Sequence, residues 1–338
     1  MTPDIPQPLQ RHVPVMLDEV MAALAPRDAC IYVDGTFGAG GYTRAILEAA
    51  DCRVVGIDRD PAAIAAGQAM VEKFGGRLTL VEGRFGDLAE HLAGLGVDKV
   101  QGVVLDIGVS SMQLDEAERG FSFLRDGPLD MRMSRSGPSA SDVVNTATVE
   151  TLAKVIFLFG EEPRSRAIAK AIAAQRAVAP ILTTLDLVKA VEKATGPQRA
   201  KDRTHPATRT FQALRIYVNA ELEELVDALH EAEQVLDVSG RLVVVSFHSL
   251  EDRIVKRFLA MRGGKTPEVS RHMPGTLEHT ASSFELLYRG HVEPGEAEAA
   301  NNPRARSAKL RAAMRTSAAA WGDSRRDLGI PRVERSSH

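Results

Sequence analysis

The chain has 338 residues, 44% of them hydrophobic, and a formal net charge of −3, so it has the size for two domains and a packed core. That near-neutral balance excludes a globally basic nucleic-acid binder and leaves only a local patch for such a role. The two cysteines, Cys30 and Cys52, fit no metal-ligand spacing, which argues against structural zinc, predicts no metal and suits a reducing, cytoplasmic setting.

In chain order, residues 1–12 read as a loose Pro-rich arm without the basic and apolar segments of a secretion signal, and no later apolar run is long enough for a bilayer. His12 reads as an exposed loop histidine. HVPVMLDEVMAALAP predicts a helix with Pro14 in its first turn and Met16, Val20 and Leu24 on one face. A β-type run, Ile31–Val33, then enters VDGTFGAGGYT, in which Gly35, Gly38, Gly40 and Gly41 let the backbone turn sharply and lie against a ligand. A helix follows from Tyr42 to Ala50. A Gly-rich turn between strand and helix builds a nucleotide-type pocket at the carboxyl ends of the strands. The spacing here is G-x-x-G-x-G-G, not the dinucleotide fingerprint G-x-G-x-x-G. A second strand, Val54–Ile57, ends at Asp58, whose carboxylate suits the vicinal hydroxyls of a ribose. That fits NAD and S-adenosylmethionine alike. Asp34, at the head of the turn, would repel a pyrophosphate and favours the cationic methionine end of S-adenosylmethionine.

Asp60 and Pro61 open the next predicted helix as N-cap and first residue. A third strand, Leu78–Val81, leads to Phe85, placed either against an adenine or in the ordinary core. The fourth, Gly102–Leu105, ends at Asp106. Strands and helices alternate to this point, which predicts a parallel sheet covered on both faces. Residues 112–142 break the pattern with a long loop too rich in Phe, Leu and Met for a solvated linker.

Helices are predicted over 148–160, 163–177 and 184–194. Residues 151–215 carry twelve Lys and Arg against five Asp and Glu, either a local nucleic-acid surface or a solvated helical face. From His205 to Leu236 the spacing of Phe211, Leu214, Val218, Leu222 and Leu225 predicts mostly one helix, ended by Ser239-Gly240. Arg241–Val245 resumes the sheet, 263–283 reads as loop, and Glu285–Tyr288 with Lys309–Arg315 form an antiparallel pair. A second basic patch begins near residue 300. The aperiodic 316–338 reads as a frayed tail.

The blocks VDGTFGAGGYT, GIDRDPAAI, LDIGVSSMQLDEAERGFSFLRDGPLDMRM, FGEEPRSRAIAKAI, HPATRTFQALRIYVNAEL, SFHSLEDRIVKRF and NPRARSAKLR together resemble the RsmH (MraW) family. Those proteins are S-adenosylmethionine-dependent methyltransferases that modify the N4 of a cytidine in small-subunit (16S) rRNA. The resemblance implies an α/β fold, a Rossmann-like methyltransferase sheet with an all-helical domain inserted after strand four. It divides the chain into 1–135 and 211–315 as the cofactor-binding domain, 136–210 as a helical substrate-binding domain, and 316–338 as a flexible tail. It also implies 16S rRNA, within the small ribosomal subunit, as partner. Residue by residue, it places Gly38, Gly40, Gly41 and Tyr42 at the methionine part of the cofactor and Asp58 at the ribose. Phe85 falls beside the adenine, Asp106 beside the methionine amine or the reacting centre, and Gln113 against the cofactor. The family usually has His where this chain has Tyr42.

Transfer to a cytosine amine needs an in-line arrangement and an acceptor that polarises the N–H bonds. The Asp/Asn-Pro-Pro-aromatic motif of many amino-methyltransferases is missing. The candidates are Asp106, Ser110 and Ser111, with Asp130 as a second carboxylate. His248 either contacts the base and takes a proton, or packs behind a helix start capped by Ser249. Phe121 and Phe123 are expected to stack on a splayed base, and Arg119, Arg125 and Arg132 to hold phosphates. Arg164, Arg166, Lys170, Arg203 and Arg209 are expected to track the backbone further out. The competing readings are a Rossmann dehydrogenase, which lacks a pyrophosphate turn here, an RNA-binding module without activity, and a methyltransferase acting on another nucleic-acid base.

Overall fold

The computed structural model describes residues 14–134, 136–198, 204–264 and 281–333. The arm with His12, and Arg203, lie outside them.

The chain opens with α1 (Leu17–Leu24), β1 (Ile31–Asp34), α2 (Gly41–Ala49), β2 (Arg53–Asp58), α3 (Pro61–Phe74), β3 (Leu78–Glu82), α4 (Leu88–Gly94) and β4 (Val100–Asp106). The helix expected from Pro14 starts later, because Met16 has a left-handed backbone (φ 54°) that turns the chain into Leu17. Asp60 caps α3 through the Ala62 N–H, with Pro61 in its first turn, as the residue types require.

After β4 come the short α5 (Ser111–Asp115), a loop, α6 (Ala140–Thr146), α7 (Val149–Gly160), α8 (Ser165–Arg176), α9 (Thr184–Thr195), α10 (Thr208–Asn219) and α11 (Glu221–Val235). The single helix expected over 205–236 is two, split at Ala220 (φ 54°). Alanine carries no breaking signal. The break is made by Asn219, whose amide donates to Met131 O at 2.7 Å and accepts the Met133 N–H at 2.9 Å, tying the helix end to the loop after β4. A domain boundary at 210/211 would cut α10, which packs on α7.

The chain closes with β5 (Leu236–Ser246), α12 (Ser249–Arg262), β6 (Phe284–Leu286), α13 (Glu296–Asn301) and β7 (Lys309–Arg315). Ser239-Gly240 do not end a helix. They lie inside β5, where pairing with β4 jumps from Val100↔Leu236 to Gly102↔Arg241, and Ser239 takes a left-handed φ of 66°.

Among the described residues, seven strands run in the order β3-β2-β1-β4-β5-β7-β6. β1 to β5 pair in parallel, and β7 runs antiparallel between β5 and β6. Both faces are apolar because successive strand residues point opposite ways. Val33, Val103, Leu105 and Val244 join the cluster under α4, α11 and α12, while Tyr32, Val104, Val243 and Val245 join the one under α1 and α2. The first cluster continues through Leu152, Val155, Ile168, Leu187 and Leu214 of the helices. The order reverses beside β1, so the loops after β1 and β4 diverge there and leave a crevice at their carboxyl ends.

Residues 316–333 form no helix or strand, yet are docked rather than frayed. Buried Arg262 pairs with Glu233 at 3.2 Å, donates to Ser324 Oγ at 2.8 Å and lies over the Trp321 ring, while Leu328 is fully buried.

Candidate active site

The turn after β1 is laced to both neighbouring strands. Gly35 N–H donates to Val104 O, Phe37 N–H to Ile57 O, and Asp106 N–H to Thr36 Oγ1 at 2.7 Å. Asp34 is buried and accepts the Thr43 hydroxyl at 2.7 Å and the Thr43 N–H at 3.2 Å, which holds the first turn of α2 against β1. Burial pushes its carboxyl up to about 6.

The glycines of the turn have different reasons to be glycine. Gly38 has a left-handed φ of 52°, and a Cβ there would meet nothing nearer than 3.8 Å, so its open side faces the crevice. At Gly40 a Cβ would strike Met70 and Phe37, and at Gly41 it would lie 2.1 Å from Pro14 Cγ. Close packing of the protein itself therefore requires the paired glycines.

Asp58 closes β2 and receives the Gly38 N–H and the Asp60 N–H, each at 2.8 Å, on separate oxygens. Each oxygen keeps a second lone pair for a ligand hydroxyl. Burial raises its pKa. Phe85 is half-buried beside this turn, its Cβ 3.3 Å from where a Gly35 Cβ would stand.

Asp106 closes β4. Its Oδ1 is buried and has no hydrogen-bond partner. Burial, then the charges of Asp34 and Glu251, push the carboxyl up to about 8. A buried carboxylate oxygen without a donor is costly unless a cation or N–H group meets it. The donor set fits S-adenosylmethionine: a lone carboxyl for its cationic end, an open backbone at Gly38, and a carboxylate one strand away for its ribose. Ser110 borders the same space, its Cβ 3.9 Å from the Gly38 Cβ position.

This chain matches the MraW methylase family over residues 9–316. It belongs to that family. It is 61% identical over 322 residues to the ribosomal RNA small subunit methyltransferase H of Nitrobacter hamburgensis, covering 95% of this chain and 96% of that protein. It is 62% identical over 313 residues to the protein of the same name from Azorhizobium caulinodans, covering 93% and 89%. Against an rRNA methylase structure from Streptococcus thermophilus the TM-score is 0.39 at 10% identity, covering 89% of this chain and 94% of that one, which adds nothing to the assignment.

As a MraW methylase the chain is an S-adenosylmethionine-dependent methyltransferase, and several side chains around the crevice prove to be committed elsewhere. The Tyr42 hydroxyl donates to Val15 O inside the core, so this side chain offers the cofactor no hydroxyl, and the Tyr-for-His difference falls in packing. Gln113 spends its amide on the Asp60 carboxylate at 3.0 Å and its oxygen on the Ser110 N–H at 3.1 Å. Ser111 opens α5.

Asp130 is held by Arg132, which donates to both of its oxygens at 2.8 and 2.6 Å. Burial would raise its carboxyl, but these bonds outweigh it and hold the group below the usual range, which unsuits it as a proton acceptor. His248 itself caps α12: Nδ1 accepts the Glu251 N–H at 3.4 Å, and Nε2 lies 2.8 Å from Glu251 Oε1 without hydrogen-bond alignment. Both ring nitrogens therefore face Glu251, and Ser249 donates to Glu161 instead of capping.

Burial takes Arg119 and Phe121 out of the phosphate and stacking roles expected of the loop after β4. Arg119 is buried, 2.6 Å from Asp60, and also donates to Arg132 O and Met133 O. Phe121 is buried, and Phe123 packs between His205 and Phe211 at ring distances of 4.9 and 4.8 Å. Arg125 remains exposed, with one guanidinium nitrogen on Asp115 O.

Glu221, His248 and Glu251 bring possible metal-ligand atoms within 4.8 Å of one another. Arg215 already supplies positive charge there, donating to both Glu221 oxygens and lying 4.0 Å from Glu251. Sequence reasoning passed over Glu251, Arg215, Thr36 and Thr43. Only the two threonines carried a signal, as hydroxyls flanking the glycines of one turn.

Proposed function

We propose that this chain transfers a methyl group from S-adenosylmethionine to the exocyclic N4 of a cytidine in the decoding region of 16S rRNA, within the small ribosomal subunit and in the cytoplasm. The observation that carries the reading is the unpartnered Oδ1 of Asp106, at the carboxyl end of β4 and next to the turn after β1. The names of the relatives support the choice of rRNA.

When bound, the cofactor supplies an electrophilic methyl on a sulfonium. Gly38 offers it open backbone, Asp58 accepts from its ribose hydroxyls and Phe85 flanks its adenine. The cytosine amine is a weak nucleophile because its lone pair is delocalised into the ring. Asp106 has two carboxylate oxygens: one meets the cofactor's cation, and the other accepts an N–H of that amine, aligns the nitrogen for in-line attack and stabilises the charge that develops on it. Ser110 borders the base, its hydroxyl still free to donate after capping α5. The target base must leave its stack to reach this depth.

The helical block that begins at 136, extended through the end of α10 at Asn219, serves as the substrate-binding region. Arg166 and Lys170, one turn apart and exposed on α8, face solvent to meet backbone phosphates. Arg164 and Arg209 contribute more weakly, since both already pair with Glu162.

The test is incubation of small subunits lacking the mark with labelled S-adenosylmethionine, followed by mapping of the labelled base. Label on N4 of one decoding-region cytidine supports the reading. Label on another base or on free DNA, with none on the subunit, overturns it.

A further inference from the structure

Helix α13 and the NPRARS segment after it have no part in the site described above, yet together they reach back to two earlier segments, the one before α1 and α5. At one end, Glu298 on α13 accepts the Met16 N–H at 2.8 Å. Met16 follows Val15, whose carbonyl receives the Tyr42 hydroxyl just inside the cofactor turn. At the other end, Arg304 reaches across to Asp115, 3.1 Å away and 189 positions earlier in the chain. Asp115 is the last residue of α5, a helix that begins beside Gly38 and is about 7 Å long.

Asp115 is where two arginines meet. Arg125 donates to its main-chain oxygen and Arg304 to its carboxylate. Two guanidinium groups therefore converge on one residue, in a stretch that also carries the exposed Glu116 and Asp126. The group is open to solvent: the Asp115 side chain is 72% exposed and that of Arg304 37%. Exposed ion pairs of this kind are weak and are exchanged readily for a better anion. Arginine's planar fork matches a phosphate as well as it matches a carboxylate.

We propose that Arg304, with Arg125 beside it, binds a backbone phosphate of the substrate RNA next to the target base, and that Asp115 holds this place until the RNA arrives. The inference rests on the reading of the protein as an RNA methyltransferase and names a contact within it. Arg304 is a positioning residue: it fixes the strand at the mouth of the crevice and touches neither the cofactor nor the reacting atoms.

The test compares wild type, Arg304→Gln, Arg304→Lys, Asp115→Asn and, as a remote control at the amino edge of the sheet, Arg53→Gln. Each is assayed on unmethylated small subunits at several salt concentrations, with cofactor affinity measured separately by calorimetry. For Arg304→Gln, KM for the subunit should rise about tenfold. The slope of log KM against log salt should flatten by roughly 0.7, the loss of one phosphate contact. Cofactor affinity should hold, and Arg304→Lys should restore part of the slope. Asp115→Asn should lower KM, and Arg53→Gln should match wild type. An unchanged KM and slope in Arg304→Gln overturns the proposal. So does an equal loss of cofactor affinity, which would make the segment a cofactor cover. Failure of wild type to methylate the subunit would instead sink the underlying function.

Discussion

Asp34 and Asp106 close two adjacent parallel strands, and the charge of Asp34 disfavours that of Asp106. Asp34 is compensated by two bonds from Thr43. Asp106 has none at Oδ1, so the site is built with an unmet demand for a cation or N–H donor.

That demand sets the pH dependence of stability. The folded value of about 8 for Asp106 lies above the ordinary 3.8. Between those values the unfolded chain releases the proton and the native state keeps it. The stability this group contributes is complete below about pH 4 and declines as the pH rises to about 8. Asp106→Asn cannot ionise and should melt higher than wild type at pH 8, match it at pH 4, and transfer no methyl. Parallel melting curves at both pH values, or full activity, would refute the assignment of Asp106.

Cofactor binding should release a proton. A cation beside Asp106 favours its ionised form. At pH 7 the free enzyme holds that proton, so up to about one proton should leave per cofactor bound. Calorimetry in two buffers of different ionisation enthalpy measures this. No buffer dependence in wild type, or an equal one in Asp106→Asn, would contradict the placement of the cationic end.

Tyr42→Phe should act on the fold and not on the cofactor. It removes the donor to the buried Val15 carbonyl, at a cost of about 1–3 kcal/mol. The melting temperature should fall while the dissociation constant for S-adenosylmethionine stays within about twofold. A large loss of affinity in a folded variant would place the hydroxyl at the ligand.

Arg119→Met tests whether the loop after β4 is held from within. It leaves Asp60 as a buried charge without its 2.6 Å partner, a loss of about 3–5 kcal/mol. Denaturant unfolding should show that loss, and proteases should cut more readily within 112–134. Wild-type stability with a raised KM for RNA would return Arg119 to the phosphate role.

Much of the frame was legible in one sequence. Alternating apolar strands, the capping pair Asp60-Pro61 and the Gly turn are local patterns, and local patterns report backbone conformation. The break at Ala220 and the bulge at Ser239-Gly240 were not legible. The first is made by Asn219 bonding a loop distant in sequence, and the second by pairing of β5 to β4. The docked tail was hidden for the same reason, since Arg262 and Arg257, not periodicity, hold residues 321–328.

The sequence by itself determined the alternation of strands and helices, the glycine turn, the family and a short list of candidate acids. Tertiary structure decided which of those acids is free. Asp130 is taken by Arg132, His248 is turned onto Glu251, and Asp106 alone among the candidate carboxylates keeps a buried oxygen without a donor. Residue type states what a side chain is able to bond. Only proximity in space, which packing sets, states what it has already bonded.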